Sequence, residues 1–378
     1  MDFEYCVPFD LKFGRGMADR IGEEISRHGR RPLIVTGKSS AKTGLLEKVE
    51  GQLEALGMEY HVFDKVSKNP LTTTVEEGAE TARSSGCDCI LALGGGSPMD
   101  ASKGIALMAC NPGEDIHGIM MDGFGGRRLT ALPIVAVPTT CGTGSECNGT
   151  AILSDPVTKD KKGIRDNVLI PRCSVVDPSL METMPPETLS AVTFDALCHS
   201  MESYLSPRSN PVTEPTSLTC MATLSKYIVR VNDDIYDEEA LDAVTLASSL
   251  VGSAFYASSL IAPHGLEHPL SGLRDMVHGR GLAALTPVIF RHSCMCSAPK
   301  FSIVSKLLGG NDETDCARQV EMLLGRIGLD VYLSDEGFCE DDIPWLVDNA
   351  FRVSKARIED NPKVFGREEI AEIYREAM

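Results

Sequence analysis

Around residue 180 this 378-residue chain changes texture. Before that point, short apolar runs at 32–37, 60–64, 89–96 and 133–140 alternate with amphipathic stretches at 41–57 and 73–86. The runs are rich in Val, Ile and Leu and end in Gly, Asp or Thr, as short buried strands do. SVVDP at 174–178 reads as a last strand. Such β–α alternation points to a mostly parallel sheet covered by helices. Beyond the proline-rich DPSLMETMPPE, four long helical patterns take over: PETLSAVTFDALCHSMESYLS, PTSLTCMATLSKYIVRVN, EEALDAVTLASSLVGSAFYASSL and DCARQVEMLLGRIGL. β-Branched strand runs nearly vanish. The expected fold is therefore α/β plus all-α, with residues 1–180 as a parallel-sheet domain and 181–378 as an all-helical one.

Each half carries one chemical signature. In the first, LALGGGSPMDASKGIA (91–106) runs strand, glycines, helix. Glycines there let backbone N–H groups approach a phosphate, and a helix N-terminus adds a favourable partial charge. Ser97 is placed to cap that helix, with Asp100 three residues on in a box-like position. The turn is neither G-x-G-x-x-G nor a Walker loop. A second glycine-containing turn, PTTCGTGSE (138–146), also follows a strand. Two such turns on neighbouring strand ends make the crevice in which open α/β sheets bind ligands, which favours a Rossmann-like dinucleotide domain.

In the second half, four of the chain's eight histidines fall in two short motifs. Asp195 and His199 are one helical turn apart in DALCH, so both leave the same face. His264, His268 and His278 lie in HGLEHPLSGLRDMVHG, where SGLRD reads as a turn that brings the chain back. A lone histidine is usually a satisfied core or surface residue. A carboxylate with several imidazoles is instead a mixed oxygen/nitrogen set suited to a divalent transition metal. Five candidates exceed the three or four ligands a site needs, which leaves one imidazole free to relay protons or contact a cofactor.

Composition excludes other functions. A net charge of −18 without Lys/Arg clusters argues against a nucleic-acid partner. No apolar run approaches the ~20 residues that span a bilayer, so no membrane partner is expected. The N-terminus has no signal-peptide pattern, and the thirteen cysteines are scattered and odd in number. A disulfide framework is therefore not expected, and a cytoplasmic location is.

Together the motifs resemble the iron-dependent (group III) alcohol dehydrogenase family over nearly the whole chain. The segments that carry the resemblance are NPLTTTVEEG (69–78), GGGSPMDASKGIA (94–106), PTTCGTGSE, KKGI (161–164), DPSL followed by MPPETLSAVTFDALCHSMESYLS (177–206), and HGLEHPLSGLRDMVHG. The resemblance implies a dinucleotide-binding domain followed by a helical metal-binding catalytic domain. It implies Asp195, His199, His264 and His278 as metal ligands, and His268 as a catalytic or nicotinamide-contacting residue. Gly94, Gly95, Gly96 and Ser97, with Asp100, match the pyrophosphate loop. Thr139, Thr140 and Thr143 match further cofactor contacts. Lys161 does too, although Lys162 could take its place. Thr150 and Phe255 fall where the family lines its substrate pocket. Phe194, Cys198, Glu267, Ser271 and Val277 depart from the usual pattern. None removes a ligand.

The resemblance implies NAD(P)-linked, reversible hydride transfer between nicotinamide and a small primary alcohol or aldehyde. The expected metal is Fe2+, with Zn2+ or another divalent ion compatible with the ligands. A homodimer or larger homo-oligomer is implied. After the first strand, Gly37 stands where NAD-preferring members place an acid, followed by Lys38 and Ser39. With no carboxylate there to repel a 2′-phosphate, NADP(H) is favoured. The alternative is a polyol-phosphate dehydrogenase or dehydroquinate-synthase-like lyase on the same scaffold. It would draw on Arg274, Arg280 and Arg291 to bind phosphate.

Overall fold

The computed structural model describes residues 3–378. The strands are β1 (Asp10–Phe13), β2 (Pro32–Thr36), β3 (His61–Phe63), β4 (Cys89–Gly94), β5 (Ile134–Pro138), β6 (Thr150–Ser154), β7 (Lys161–Arg165) and β8 (Cys173–Val176). Six of them form one parallel sheet, in the order β1-β8-β5-β4-β2-β3. β6 and β7 pair separately. The strand order reverses between β2, which pairs with β3, and β4, which runs on to β5. That switch point opens at the carboxyl ends of β2 and β4, where Gly37 and Gly95 lie.

Both faces of the sheet are covered, which explains its unbroken apolar runs. Leu33, Val35, Ile90, Ala92, Ile134 and Ala136 pack into one core cluster. Their neighbours Ile34, Leu91, Leu93, Val135 and Val137 pack into the other. β1, β6 and β7 were not anticipated, because DLKF alternates over only four residues and TAILS and KKGIR mix polar and apolar residues without a clear period. The helix expected over 41–57 is two helices, Lys38–Lys42 and Leu45–Ala55. Gly44, at φ 77°, separates them, a left-handed conformation that helix interiors do not use.

The chain divides into two compact units. One holds Cys6–Thr158 and Lys162–Met184; the other holds Pro185–Met378, Lys159–Lys161 and residues 3–5. The segment at 159–161 thus groups with the helices, although sequence position puts it among the strands. Within the second unit, Pro186–Leu205, Thr213–Asp233 and Glu238–Ser258 pack against one another. Glu238–Ser258 corrects the expectation that no run is long enough to span a bilayer, since its length and hydropathy of 1.3 would suffice. Its most apolar window is 72% buried inside the protein, as in the core helix of a globular domain. None of the thirteen cysteines is in a disulfide.

Candidate metal centre and phosphate loops

Helix Pro186–Leu205 carries Asp195 and His199, both buried. Helix Ala262–Arg274 carries buried His264. This helix runs through the SGLR once read as a turn; the reversal falls at Asp275, at φ 54°. His278 then opens the next helix, His278–Ser293. Gly279 follows it for a steric reason. A Cβ at that position would lie 2.2 Å from the Ala191 carbonyl oxygen, so only glycine lets this helix approach the one bearing Asp195.

The side chains converge on one atom. Asp195 Oδ1 is 3.5 Å from His199 Nε2, 3.3 Å from His264 Nε2 and 3.8 Å from His278 Nε2. Asp195, His199 and His264 each offer a ligand atom within 4.8 Å of the others, a set that could hold a metal ion. His278 stands just outside that tight group. Asp195 Oδ1 and His264 Nε2 are buried with no hydrogen-bond partner among the described residues. Buried polar atoms are rarely left that way, and a divalent cation would satisfy both at once.

The surrounding groups orient the rings. Glu202 is fully buried; its Oε1 lies 2.6 Å from His264 Nδ1, and its Oε2 accepts the Ile261 N–H at 2.9 Å. Sequence reasoning missed Glu202, yet Asp195, His199 and Glu202 at i, i+4 and i+7 share one helical face. Glu267, also fully buried, contacts His278 Nδ1 and Ser271 Oγ, and its Oε2 lies 3.4 Å from Lys161 Nζ. Burial would raise Glu267, but the charges of His278 and Lys161 hold it at about 2. Asp195 is likewise lowered against its burial, chiefly by His199, with His264 and His278 adding to the effect. His264 is pulled down by burial, but Glu202 and Asp195 outweigh that and raise it to about 9.

His268, expected to relay protons or contact the cofactor, is held against an arginine. It is buried, and Arg357 Nη1 lies 2.9 Å from its Nδ1. Burial first, and then the Arg357 charge, push it well below its ordinary value. Its ring lies 6.1 Å from that of His278. Phe255 stacks on His199 with centroids 4.5 Å apart. Lys161 is the lysine at Glu267, while Lys162 donates to the Met121 carbonyl.

The sheet unit builds its site from backbone. Gly95 is the N-cap of helix Gly96–Cys110, so Ser97 lies inside the first turn and does not cap it. Asp100 is engaged otherwise: it accepts from Ser145 Oγ at 2.6 Å and the Ile152 N–H at 3.0 Å. The two glycine turns pack together. A Cβ on Gly95 would sit 3.1 Å from Thr140 Cγ2, and one on Gly96 2.5 Å from Thr143 Cγ2. The Thr139 N–H donates to the Gly94 carbonyl at 2.9 Å. Buried Lys103 donates to the Ser145 and Thr150 carbonyls, both at 2.7 Å, and so ties the second turn to the helix behind the first. Thr150 is therefore held through its backbone. Ser39 and Thr139 line a pocket with Ser40, Thr43, Ser179 and Thr183.

At Gly37 a Cβ would come 2.9 Å from the Val66 carbonyl, so packing alone demands glycine there. Lys38 is paired with Asp64. The premise that no carboxylate stands near a 2′-phosphate is thereby corrected: Asp64 follows β3 in sequence, but folding brings it to the residue after Gly37.

Two family descriptions match the chain: "Iron-containing alcohol dehydrogenase" over residues 8–178 and "Fe-containing alcohol dehydrogenase family, C-terminal" over 190–378. The chain is 33% identical to a 1,3-propanediol dehydrogenase of Citrobacter freundii, covering 99% of this chain and 98% of that protein. It is 28% identical to the lactaldehyde reductase of Escherichia coli K12, with 97% of each covered. Among solved structures, an archaeal halo-thermophilic alcohol dehydrogenase from a Red Sea brine pool superposes with a TM-score of 0.95 at 31% identity, covering 100% and 99% of the two chains. A sulfoacetaldehyde reductase of Bifidobacterium kashiwanohense, solved with NAD+, superposes with a TM-score of 0.88 at 25% identity, covering 99% and 98%.

Proposed function

Because the chain belongs to the iron-containing alcohol dehydrogenase family and is an oxidoreductase acting on CH–OH groups, we propose that Asp195, His199, His264 and His278 hold one divalent metal, Fe2+ first, for the reversible interconversion of a small primary alcohol and its aldehyde. The convergence of Asp195 Oδ1 and His264 Nε2, both buried and unpartnered, carries this reading. When bound, the metal supplies a Lewis acid that polarises the alcohol or aldehyde oxygen, and the nicotinamide supplies the hydride acceptor or donor.

The chain's own residues do the rest. Glu202, against His264 Nδ1, fixes the ring with Nε2 turned toward Asp195. Phe255, stacked on His199, gives the substrate an apolar wall beside a ligand. His268 accepts from Arg357 and contributes position and hydrogen bonding. Gly94, Gly95 and Gly96 expose backbone N–H groups at the start of a 15-residue helix, where a pyrophosphate is stabilised.

NAD(H) use agrees with the family, and NADP(H) is accepted as well. Support comes from Gly37, which offers no carboxylate, and from Lys38, which can exchange Asp64 for a 2′-phosphate. A phosphorylated substrate is disfavoured. Arg274 is paired with Asp342, Arg280 with Glu336, and Arg291 with Glu321 and Glu376, so these arginines already have carboxylate partners. The deciding experiment is a spectrophotometric screen of small alcohols and aldehydes with NAD(H) and NADP(H), on anaerobically purified protein of measured metal content. Turnover that depends on bound metal is expected. Full turnover in metal-free protein would overturn the reading.

A further inference from the structure

Two of the clustered imidazoles each set Nδ1 beside a buried glutamate: the His264–Glu202 pair is a hydrogen bond, the His278–Glu267 pair a close contact outside hydrogen-bond alignment. His264 turns Nδ1 to a buried carboxylate, Glu202, and Nε2 to Asp195 Oδ1 at 3.3 Å. His278 turns Nδ1 to another buried carboxylate, Glu267, and Nε2 to the same Asp195 Oδ1 at 3.8 Å. Both glutamates have no solvent exposure. An uncompensated buried carboxylate is costly, so each needs a specific partner set.

Glu267 has one built around it. Ser271, one helical turn on, donates Oγ–H to its Oε1. Lys161, only 5% exposed, lies 3.4 Å from its Oε2. The backbone that delivers Lys161 is itself anchored. Asp160 accepts from Asn349 Nδ2 at 2.8 Å and pairs with Arg352. Gly272 leaves room for the Lys159 carbonyl, which would be 2.2 Å from any Cβ placed there. Gly281 does the same for Glu267, whose Cγ would be 2.7 Å from a Cβ.

We propose that Glu267 is a positioning residue for the metal centre: it accepts the Nδ1–H of His278, so that Nε2 carries the lone pair turned toward Asp195, and Lys161 and Ser271 hold it in that pose. The inference rests on the metal reading above and adds a second carboxylate–imidazole pair to the one formed by Glu202. A carboxylate behind a ligating imidazole fixes its tautomer and raises its basicity, and losing one typically weakens metal affinity by about 10- to 100-fold.

The test is Co2+ and Zn2+ affinity by chelator competition, together with the visible absorption of the Co2+-loaded protein, for wild type, Glu267→Ala and Glu267→Gln. Glu267→Ala is expected to lose roughly 10- to 100-fold in affinity and to shift the Co2+ bands. Glu267→Gln keeps the side-chain volume and an acceptor oxygen, so it should recover part of the loss. It also serves as the folded control should the alanine variant prove unstable. Wild-type affinity and an unshifted Co2+ spectrum in both variants would overturn the proposal while leaving the metal reading intact. A wild type that takes up neither ion would overturn the metal site and this inference together.

Discussion

In the helical unit the chemistry sits on side chains; in the sheet unit it sits on backbone. The proposed metal cluster draws Asp195, His199, His264 and His278 from three helices and backs them with buried Glu202 and Glu267. The phosphate loops do the reverse. Gly95 and Gly96 keep side chains out so that Thr140 and Thr143 can approach, and the functional surface is N–H and hydroxyl groups. A metal needs a few strong donors held rigidly, whereas a pyrophosphate needs many weak donors at close range. Damage to one region should therefore leave a different trace from damage to the other.

The largest effect should come from the cluster. His264→Ala is expected to abolish metal retention and turnover together while coenzyme binding persists; elemental analysis and fluorescence titration check both, and a fully active metal-free variant would break the distinction. Gly96→Ala should do the opposite. Its Cβ overpacks against Thr143, a cost of about 1–3 kcal/mol or roughly 5- to 150-fold in coenzyme affinity, with metal content unchanged. Lys103→Met should lower stability by about 3 kcal/mol, because buried carbonyls lose their donor. Denaturant unfolding measures this, and a value near zero would mean the two turns do not depend on that lysine.

A pH effect separates the regions further. In metal-free protein His264 titrates near 9, above its unfolded value of 6.5. Its stabilisation is therefore full below pH 6.5 and is lost as pH rises toward 9. Melting temperature should fall across that window without metal, and the fall should shrink in Glu202→Gln. The smallest effect belongs to Asp64→Asn, on the exposed Lys38 pair. It should raise kcat/KM for NADPH relative to NADH within about fivefold, since exposed ion pairs contribute little. An unchanged ratio would remove Lys38 from coenzyme selection.

Periodicity in the sequence suffices for β2 to β5, β8 and the long helices, because each buries a regular apolar pattern. It misses β1, whose alternation spans only four residues, and β6 and β7, whose polar and apolar residues do not alternate. The Asp/His set was visible because helical spacing places its members on shared faces. Glu202 carried the same signal one turn further along and was overlooked. Lys161 and Glu267 are more than a hundred residues apart in sequence, and no local pattern pairs them.

By itself the sequence determined the division into sheet and helices, the glycine turns and the Asp/His set proposed to hold a metal, because each follows from local spacing and residue type. Only the tertiary structure decided which groups stand behind Asp195, His264 and His278, that Arg357 lies against His268, and that Lys38 faces Asp64. Those outcomes depend on burial and on charges contributed by distant segments, and both arise only when the chain packs.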